Sequence, residues 1–158
     1  MKTGTRRSGP AARRVPEDMC PTCGAIMRRT NAAVLWPVNG HGNRVAGVSH
    51  LRCPSCGEGM YSIAEIEALD AAAFAIYRKR FGLLIPDEVR AIREQHRLTQ
   101  AELARLLRLG ANTISRWEAG RTVQTAAMDI LLRMVRDVPA SLLYLRRGAR
   151  RTARMAAR

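Results

Sequence analysis

Two near-identical cysteine turns constrain this chain more than any other feature. They read Cys20-Pro21-Thr22-Cys23-Gly24 and Cys53-Pro54-Ser55-Cys56-Gly57. In each turn the proline rigidifies the backbone and the glycine accepts a positive φ, so both thiolates can reach one ion at a Zn–S distance of about 2.3 Å. Because four thiolates complete a tetrahedron and leave no position for a reacting water, we predict one structural Zn²⁺ per chain. Its ligands are Cys20, Cys23, Cys53 and Cys56.

Other uses of these cysteines are an iron–sulfur site, a dithiol redox pair or no shared role. Duplicated turns of this kind are hard to obtain by chance, which favours zinc. His50 lies three residues before Cys53 and is an alternative ligand. With four cysteines present, we predict instead that His50, His41 and His96 are surface residues.

The stretch between the cysteine turns predicts a β-hairpin. Residues 32–36 and 44–51 are β-like and flank the turn signals Asn39-Gly40 and Gly42-Asn43. A long hairpin would bridge the wide spacing between the turns. We assign residues 19–61 to a small zinc-binding domain, in which the ion supplies much of the folding free energy because the core is small. Residues 1–18 are basic and unpatterned, and predict a disordered arm.

A linker helix is predicted next, over residues 62–85. Ser62 and Glu65 form a capping box, apolar residues recur at helical spacing up to Arg80, and Gly82 ends the pattern. From Pro86 onward the patterns are helical, without strand alternation. The fold class is therefore α+β with two small domains, the second an all-α domain over residues 86–145.

The second domain contains a helix-turn-helix pattern. Thr99 and Glu102 form another capping box, and the helix they begin turns Leu103, Leu106 and Leu107 inward. Ala104 is small enough for a second helix to cross closely there. After a break over residues 108–110, that second helix is predicted from Ala111 to about Ala119, with Ile114 and Trp117 facing the core.

The outward face of the second helix suits a DNA major groove. Asn can bridge adenine N6 and N7, and Arg can bridge guanine O6 and N7. Gln100, at the start of the preceding helix, is placed to meet a phosphate. An ordinary helical hairpin with a solvated polar face is the alternative. The predicted DNA-binding residues are Gln100, Asn112, Thr113, Ser115 and Arg116.

Charge favours nucleic acid or an acidic protein as the partner, and the residue pattern argues against an enzyme. The chain has 27 basic and 13 acidic residues and a formal net charge of +14, which attracts polyanions. Its three histidines are isolated, and no nucleophile–base grouping stands out. No apolar run predicts a membrane span or a secretory signal, so we expect a cytoplasmic protein with reduced cysteines. Residues 146–158 form an Arg-rich tail that either follows DNA phosphates or is an unstructured, solubilising end.

Paired cysteine turns followed by Gly110-x-Asn112-x-x-Ser115-Arg116 resemble the MqsA family of antitoxins from bacterial toxin–antitoxin operons. The resemblance implies a five-helix Xre/Cro-type second domain, zinc on the four cysteines, and base reading by Asn112 and Arg116 in an operator palindrome. It further implies a homodimer formed through the C-terminal domain, repression of its own operon, and a zinc domain that binds a toxin, making the chain a type II antitoxin.

The chain departs from that family at three places, one of which is the Arg-rich tail from Arg146. Arg108 and Leu109 stand where related sequences commonly carry glycine, so we expect a less tight turn. Family members often begin almost at the first cysteine turn, which makes Met19 an alternative start. A stand-alone transcriptional regulator of a phage or mobile element, without a toxin partner, is the alternative function.

Overall fold

The computed structural model describes residues 16–156, and the side chains of residues 16–149. Most of the arm predicted over residues 1–18 therefore lies outside the described residues, as do residues 157 and 158. None of the described helices is long and apolar enough to cross a membrane.

The front half is built from short antiparallel strands. These are β1 (Arg28–Thr30), β2 (Val34–Val38), β3 (His41–Val45), β4 (His50–Arg52) and β5 (Gly59–Met60). One sheet has the order β1-β4-β5, and β2 pairs with β3. The predicted hairpin is confirmed: Asn39 and Gly40 both take positive φ in its two-residue turn, as the twist of a tight hairpin requires. Its predicted second arm is divided between β3 and β4.

Helix α1 (Ile63–Phe81) packs against this hairpin. It begins at the predicted capping box, in which the Glu65 amide donates to Ser62 Oγ and the Ser62 amide donates to Glu65 Oε2. It ends at Gly82, which has φ 61°. Because Leu69 and Ala73 are fully buried against the hairpin, this helix forms part of the front core as well as connecting the two halves.

The back half is entirely helical, which together with the front strands confirms the α+β class. It comprises α2 (Pro86–Gln95), α3 (Gln100–Leu106), α4 (Thr113–Glu118), α5 (Ala126–Asp137) and α6 (Pro139–Ala156). Its core buries Val89 and Ile92 from α2, Leu103 from α3 and Leu132 from α5. The backbone of α6 is helical through Ala156, so residues 146–156 are not an unstructured end.

The two halves are in contact next to α4. Arg78, near the end of α1, is only 5% exposed and donates from Nη2 to the carbonyl oxygens of Gly120 and Thr122, at 3.3 and 2.7 Å. Val123 packs against the core formed by α1 and the hairpin. A guanidinium from the front half thus holds the segment that directly follows α4.

Candidate metal centre and nucleic-acid interface

The two cysteine turns fold alike. The Cys20 amide donates to the Ala25 carbonyl at 2.8 Å, and the Cys53 amide donates to the Glu58 carbonyl at the same distance. Gly24 and Gly57 have φ of 74° and 79°, the left-handed conformation expected of glycine in such turns. Since sheet β1-β4-β5 connects the turns, its pairing brings the four sulfurs together.

The sulfur geometry fits one tetrahedral ion. All four Sγ atoms lie within 4.8 Å of one another, and Cys20–Cys56 and Cys23–Cys53 are separated by 3.6 and 3.4 Å. A tetrahedron with Zn–S bonds of about 2.3 Å has S–S edges of about 3.8 Å. Cys20 and Cys53 are buried, whereas Cys23 and Cys56 are exposed. The four residues can therefore hold a metal ion, and a closed thiolate set gives that ion a structural role.

Backbone amides prepare the cluster for a cation. The Cys56 N–H lowers the pKa of Cys53, burial opposes it, and the Ser55 N–H helps bring the pKa of that thiol to about 6. The Glu58 N–H lowers the pKa of Cys56, but burial and the neighbouring thiols outweigh it and raise the value to about 12. The four sulfurs cannot all ionise side by side unless a positive charge stands among them.

The prediction that His50 is a surface residue is wrong. Its side chain is 1% exposed, stacks on Tyr61 with ring centroids 5.2 Å apart, and places Nδ1 3.0 Å from the Val48 carbonyl oxygen. It nevertheless lies outside the group of potential metal ligands, which among the described residues contains only the four cysteines. His41 is exposed as predicted, and His96 is half-buried with Nε2 2.9 Å from the Val135 carbonyl oxygen.

In the back half, α3 and α4 form the predicted helix-turn-helix. The Thr99–Glu102 capping box is present, and Ala104 is buried where the helices cross. The turn is built differently from a glycine turn, because Arg108 itself takes the left-handed conformation at φ 56°. The second helix begins at Thr113, later than the predicted Ala111, with Asn112 at its N-cap.

Helix α4 separates a buried face from an exposed one. Ile114 is fully buried and Trp117 is 5% exposed, so both anchor the helix in the core. Asn112 and Arg116 are exposed and one helical turn apart. Ser115 is half-buried and donates its hydroxyl to the Asn112 carbonyl at 2.9 Å, while Thr113 is half-buried at the helix start. The side chains best placed to reach outward are thus Asn112 and Arg116.

Gln100 and Glu118 form a buried network that the sequence analysis missed. The Glu118 side chain is 3% exposed and accepts from Arg93 Nε at 2.6 Å and from Gln100 Nε2 at 2.8 Å. Burial raises the pKa of Glu118, but these donors outweigh it and the net shift is downward. The Gln100 amide, expected to face a phosphate, therefore donates to the end of α4. The only signal in the sequence was an acidic residue directly after a buried tryptophan.

The chain thus combines a four-cysteine cluster that can hold a metal ion with a helical half that contains a helix-turn-helix arrangement. Residues 18–146 match the family described as the antitoxin component of a bacterial toxin–antitoxin system, MqsA. The chain belongs to this MqsA antitoxin family.

A curated relative also points to an antitoxin. The chain is 37% identical over 60 residues to antitoxin HigA-2 of Vibrio cholerae serotype O1 (strain ATCC 39315 / El Tor Inaba N16961). The match covers 38% of this chain and 58% of HigA-2, so the chain spans little more than half the length of that relative.

Proposed function

We propose that this antitoxin is a zinc-containing, non-enzymatic repressor of its own operon, which binds a palindromic operator as a homodimer and a toxin through its front half. The observation that carries the DNA-binding part is the exposure of Asn112 and Arg116 on a helix whose opposite face is buried. An asparagine and an arginine one turn apart can bridge an adenine and a guanine in one major groove. A dimer would place two such helices roughly 34 Å apart.

Exposed apolar side chains on α5 and the start of α6 support a homodimer through the C-terminal domain. Ile130 and Met134 stand one turn apart on α5, at 60% and 46% exposure. Val138, Leu143 and Tyr144 extend the apolar surface. Burying this surface against a second copy would remove apolar area from water and give the two-fold symmetry that a palindrome requires.

The thiolate cluster supports zinc as the resident ion. Four sulfur ligands at tetrahedral spacing suit Zn²⁺ better than harder cations, and the ion would hold β1, β4 and β5 in place. The Zn²⁺ supplies no reaction step here. Thiolate ligands and a DNA partner both suit a cytoplasmic location.

Substitution of Arg116 tests the DNA-binding function. We expect Arg116→Ala to weaken binding to the DNA upstream of the gene by about 1–3 kcal/mol and to relax specificity at one base position. Arg44→Ala removes an exposed arginine from β3 and serves as the matched control. Fluorescence anisotropy with operator and scrambled duplexes measures both effects. Equal binding of the wild-type protein to the two duplexes would exclude base reading.

Co-expression with the neighbouring gene product tests the remaining parts. We expect a stable complex that contains one zinc per chain by elemental analysis. Deletion of residues 1–61 should release the partner if the front half binds the toxin. A chain that binds its operator but has no toxin-like neighbour and no co-purifying partner would instead be a stand-alone regulator.

A further inference from the structure

Helix α6 has an anchored first half and a basic second half. Leu142 is 7% exposed within the helical core, and Leu145 packs against that core. The helix then continues over residues 146–156, beyond Leu145, the last described side chain that packs against this core. Residues 146–158 include no acidic residue. The arginines on this helical stretch are Arg146, Arg147, Arg150, Arg151 and Arg154.

The spacing of these arginines follows the helix. At about 100° per residue, the five positions fall within an arc of roughly 140°. The remaining arc carries Gly148, Ala149, Thr152, Ala153, Met155 and Ala156. A helix that lies on a membrane needs several large apolar residues opposite its cations, and one methionine among small residues does not provide them. One basic face with a small-residue back favours a polyanion that is contacted from one side.

The basic half leaves the domain beside the first turn of α3. Helices α3 and α6 are in contact. Hydrogen bonds from Thr99 lower the pKa of Glu102 in that turn, and the charges of Arg105 and Arg146 lower it further. In a helix-turn-helix the first helix crosses the DNA backbone while the second enters the major groove, so in the proposed complex α3 lies close to the phosphates. Residue 146, next to α3, would then lie on the side of the domain that faces DNA.

We propose that residues 146–156 of α6 bind the phosphates of DNA beside the operator half-site, as a sequence-independent contact. This inference rests on the proposed DNA-binding function, since the helix must be brought to the duplex by α4. The stretch is about 15 Å long, enough to follow a few phosphates along one strand. Arginine suits this contact because its planar guanidinium grips a phosphate with two N–H groups.

The test compares two variants that lose the same charge. The first carries Gln at positions 146, 147, 150, 151 and 154. The control carries Gln at five exposed cations of the front half, Arg28, Arg44, Arg52, Lys79 and Arg80. Binding to operator and random duplexes of equal length is measured across a series of KCl concentrations. Analytical ultracentrifugation records whether each variant remains a dimer, and anionic vesicles are included as a second probe.

We expect the α6 variant to lose about tenfold or more in affinity on both duplexes and to lower the slope of log K against log salt by about 2, since each phosphate contact contributes about 0.9. The control should change the slope by less than about 1. The ratio of operator to random binding should be the same in wild type and α6 variant.

Other results would overturn the inference. An unchanged slope on DNA, with or without lost vesicle binding, would show that the helix does not bind phosphates of the duplex. A loss confined to the operator would show base reading, and a change to monomer would show that the arginines act in assembly. In each of these cases wild-type preference for the operator leaves the proposed function standing. If the wild-type chain binds neither duplex, the proposed DNA-binding function and this inference fail together.

Discussion

The front and back halves of this protein solve the problem of a small core in different ways. Among the residues whose side chains are described, the back half buries twelve in one apolar cluster around Leu103, Ile114 and Leu132. The front half has two smaller clusters, one formed by Cys20, Met27 and Cys53, the other by four residues of the hairpin and α1. Apolar burial can hold the helices together, whereas the β-sheet with the cysteine turns depends on its sulfur cluster.

The buried polar groups differ in the same way. In the back half Glu118 and Asp129 are ionised carboxylates with several donors, and Asp129 accepts from the Leu84 amide at 2.7 Å and from Arg133 Nε at 2.7 Å. In the front half the buried polar side chains are Arg78, His50, which stacks on Tyr61, and Asn43, which donates to two carbonyls. The helical half therefore locks its elements with paired charges, whereas the front half has four cysteines that can hold an ion.

Removal of the metal should produce the largest difference in stability between the two halves. Chelation, or Cys53→Ser, should cost the front half about 10 kcal/mol of binding free energy and expose residues 19–60 to exchange, because the ion replaces a large core. Helices α2 to α5 should keep their protection. Hydrogen exchange followed by mass spectrometry measures both halves in one experiment. Ser55→Ala, in the same turn, is the control. A front half that stays protected without metal would show that it does not depend on the sulfur cluster.

A cavity in the helical core should have the opposite effect: it should destabilise the back half and leave the front half unchanged. Leu103 is fully buried, so Leu103→Ala should destabilise the back half by about 3 kcal/mol through lost contacts and the cavity left behind. The metal content should not change. Urea denaturation with elemental analysis checks this. Leu35→Ala, at a position 73% exposed on β2, should change stability by less than about 0.5 kcal/mol. If Leu103→Ala also lost its metal, the two cores would not be independent of each other.

The Glu118 network gives the back half a pH dependence. Glu118→Gln should cost about 2 kcal/mol at neutral pH, because Arg93 loses its buried partner. The folded-state pKa of Glu118 is lowered, so its contribution is full above the unfolded value of about 4.3 and is lost as the pH falls through the lower, folded value. The two proteins should therefore converge in stability in acid.

Thermal melts from pH 7 down to pH 3 measure this difference. Glu94→Gln removes the exposed partner of the same Arg93 and should have a small effect at every pH. A gap between Glu118→Gln and wild type that widens in acid would contradict the assigned sign.

Backbone strain provides the smallest test. The front turns place glycine at positive φ, whereas the back half places Arg97 and Arg108 there, at 52° and 56°. Arg97 follows α2, and its conformation suits glycine better, so Arg97→Gly should stabilise the protein by up to about 1 kcal/mol. Arg105→Gly, inside α3, should destabilise it by about the same amount. Chemical denaturation compares the two variants. A destabilised Arg97→Gly would show that the positive φ of Arg97 does not strain the folded protein.

Local signals in the sequence predicted the elements that depend on few residues. The cysteine turns, the hairpin turn at Asn39-Gly40, the capping boxes at Ser62 and Thr99, and the buried Ala104 are all present. Each is determined by residues within a few positions of one another. This is why the fold class and the thiolate cluster could be predicted without coordinates.

Contacts between distant residues could not be predicted. His50 is buried because Tyr61 stacks on it, and Gln100 turns inward because Glu118 accepts its amide. The start of α4 lies at Thr113, where Asn112 occupies the N-cap without a side-chain capping hydrogen bond, so no local capping signal marks it. Each depends on how separate elements pack, which periodicity does not specify.

The contact made by Arg78 limits how the two halves can move. Rotation of the front half about Gly82 would pull a buried cation away from two carbonyl oxygens next to α4. Such a cation cannot be left without acceptors at low cost. Any force that tilts the cysteine-bearing half therefore acts on the backbone directly after α4, so the positions of the cysteine turns and of Asn112 and Arg116 are coupled through Arg78.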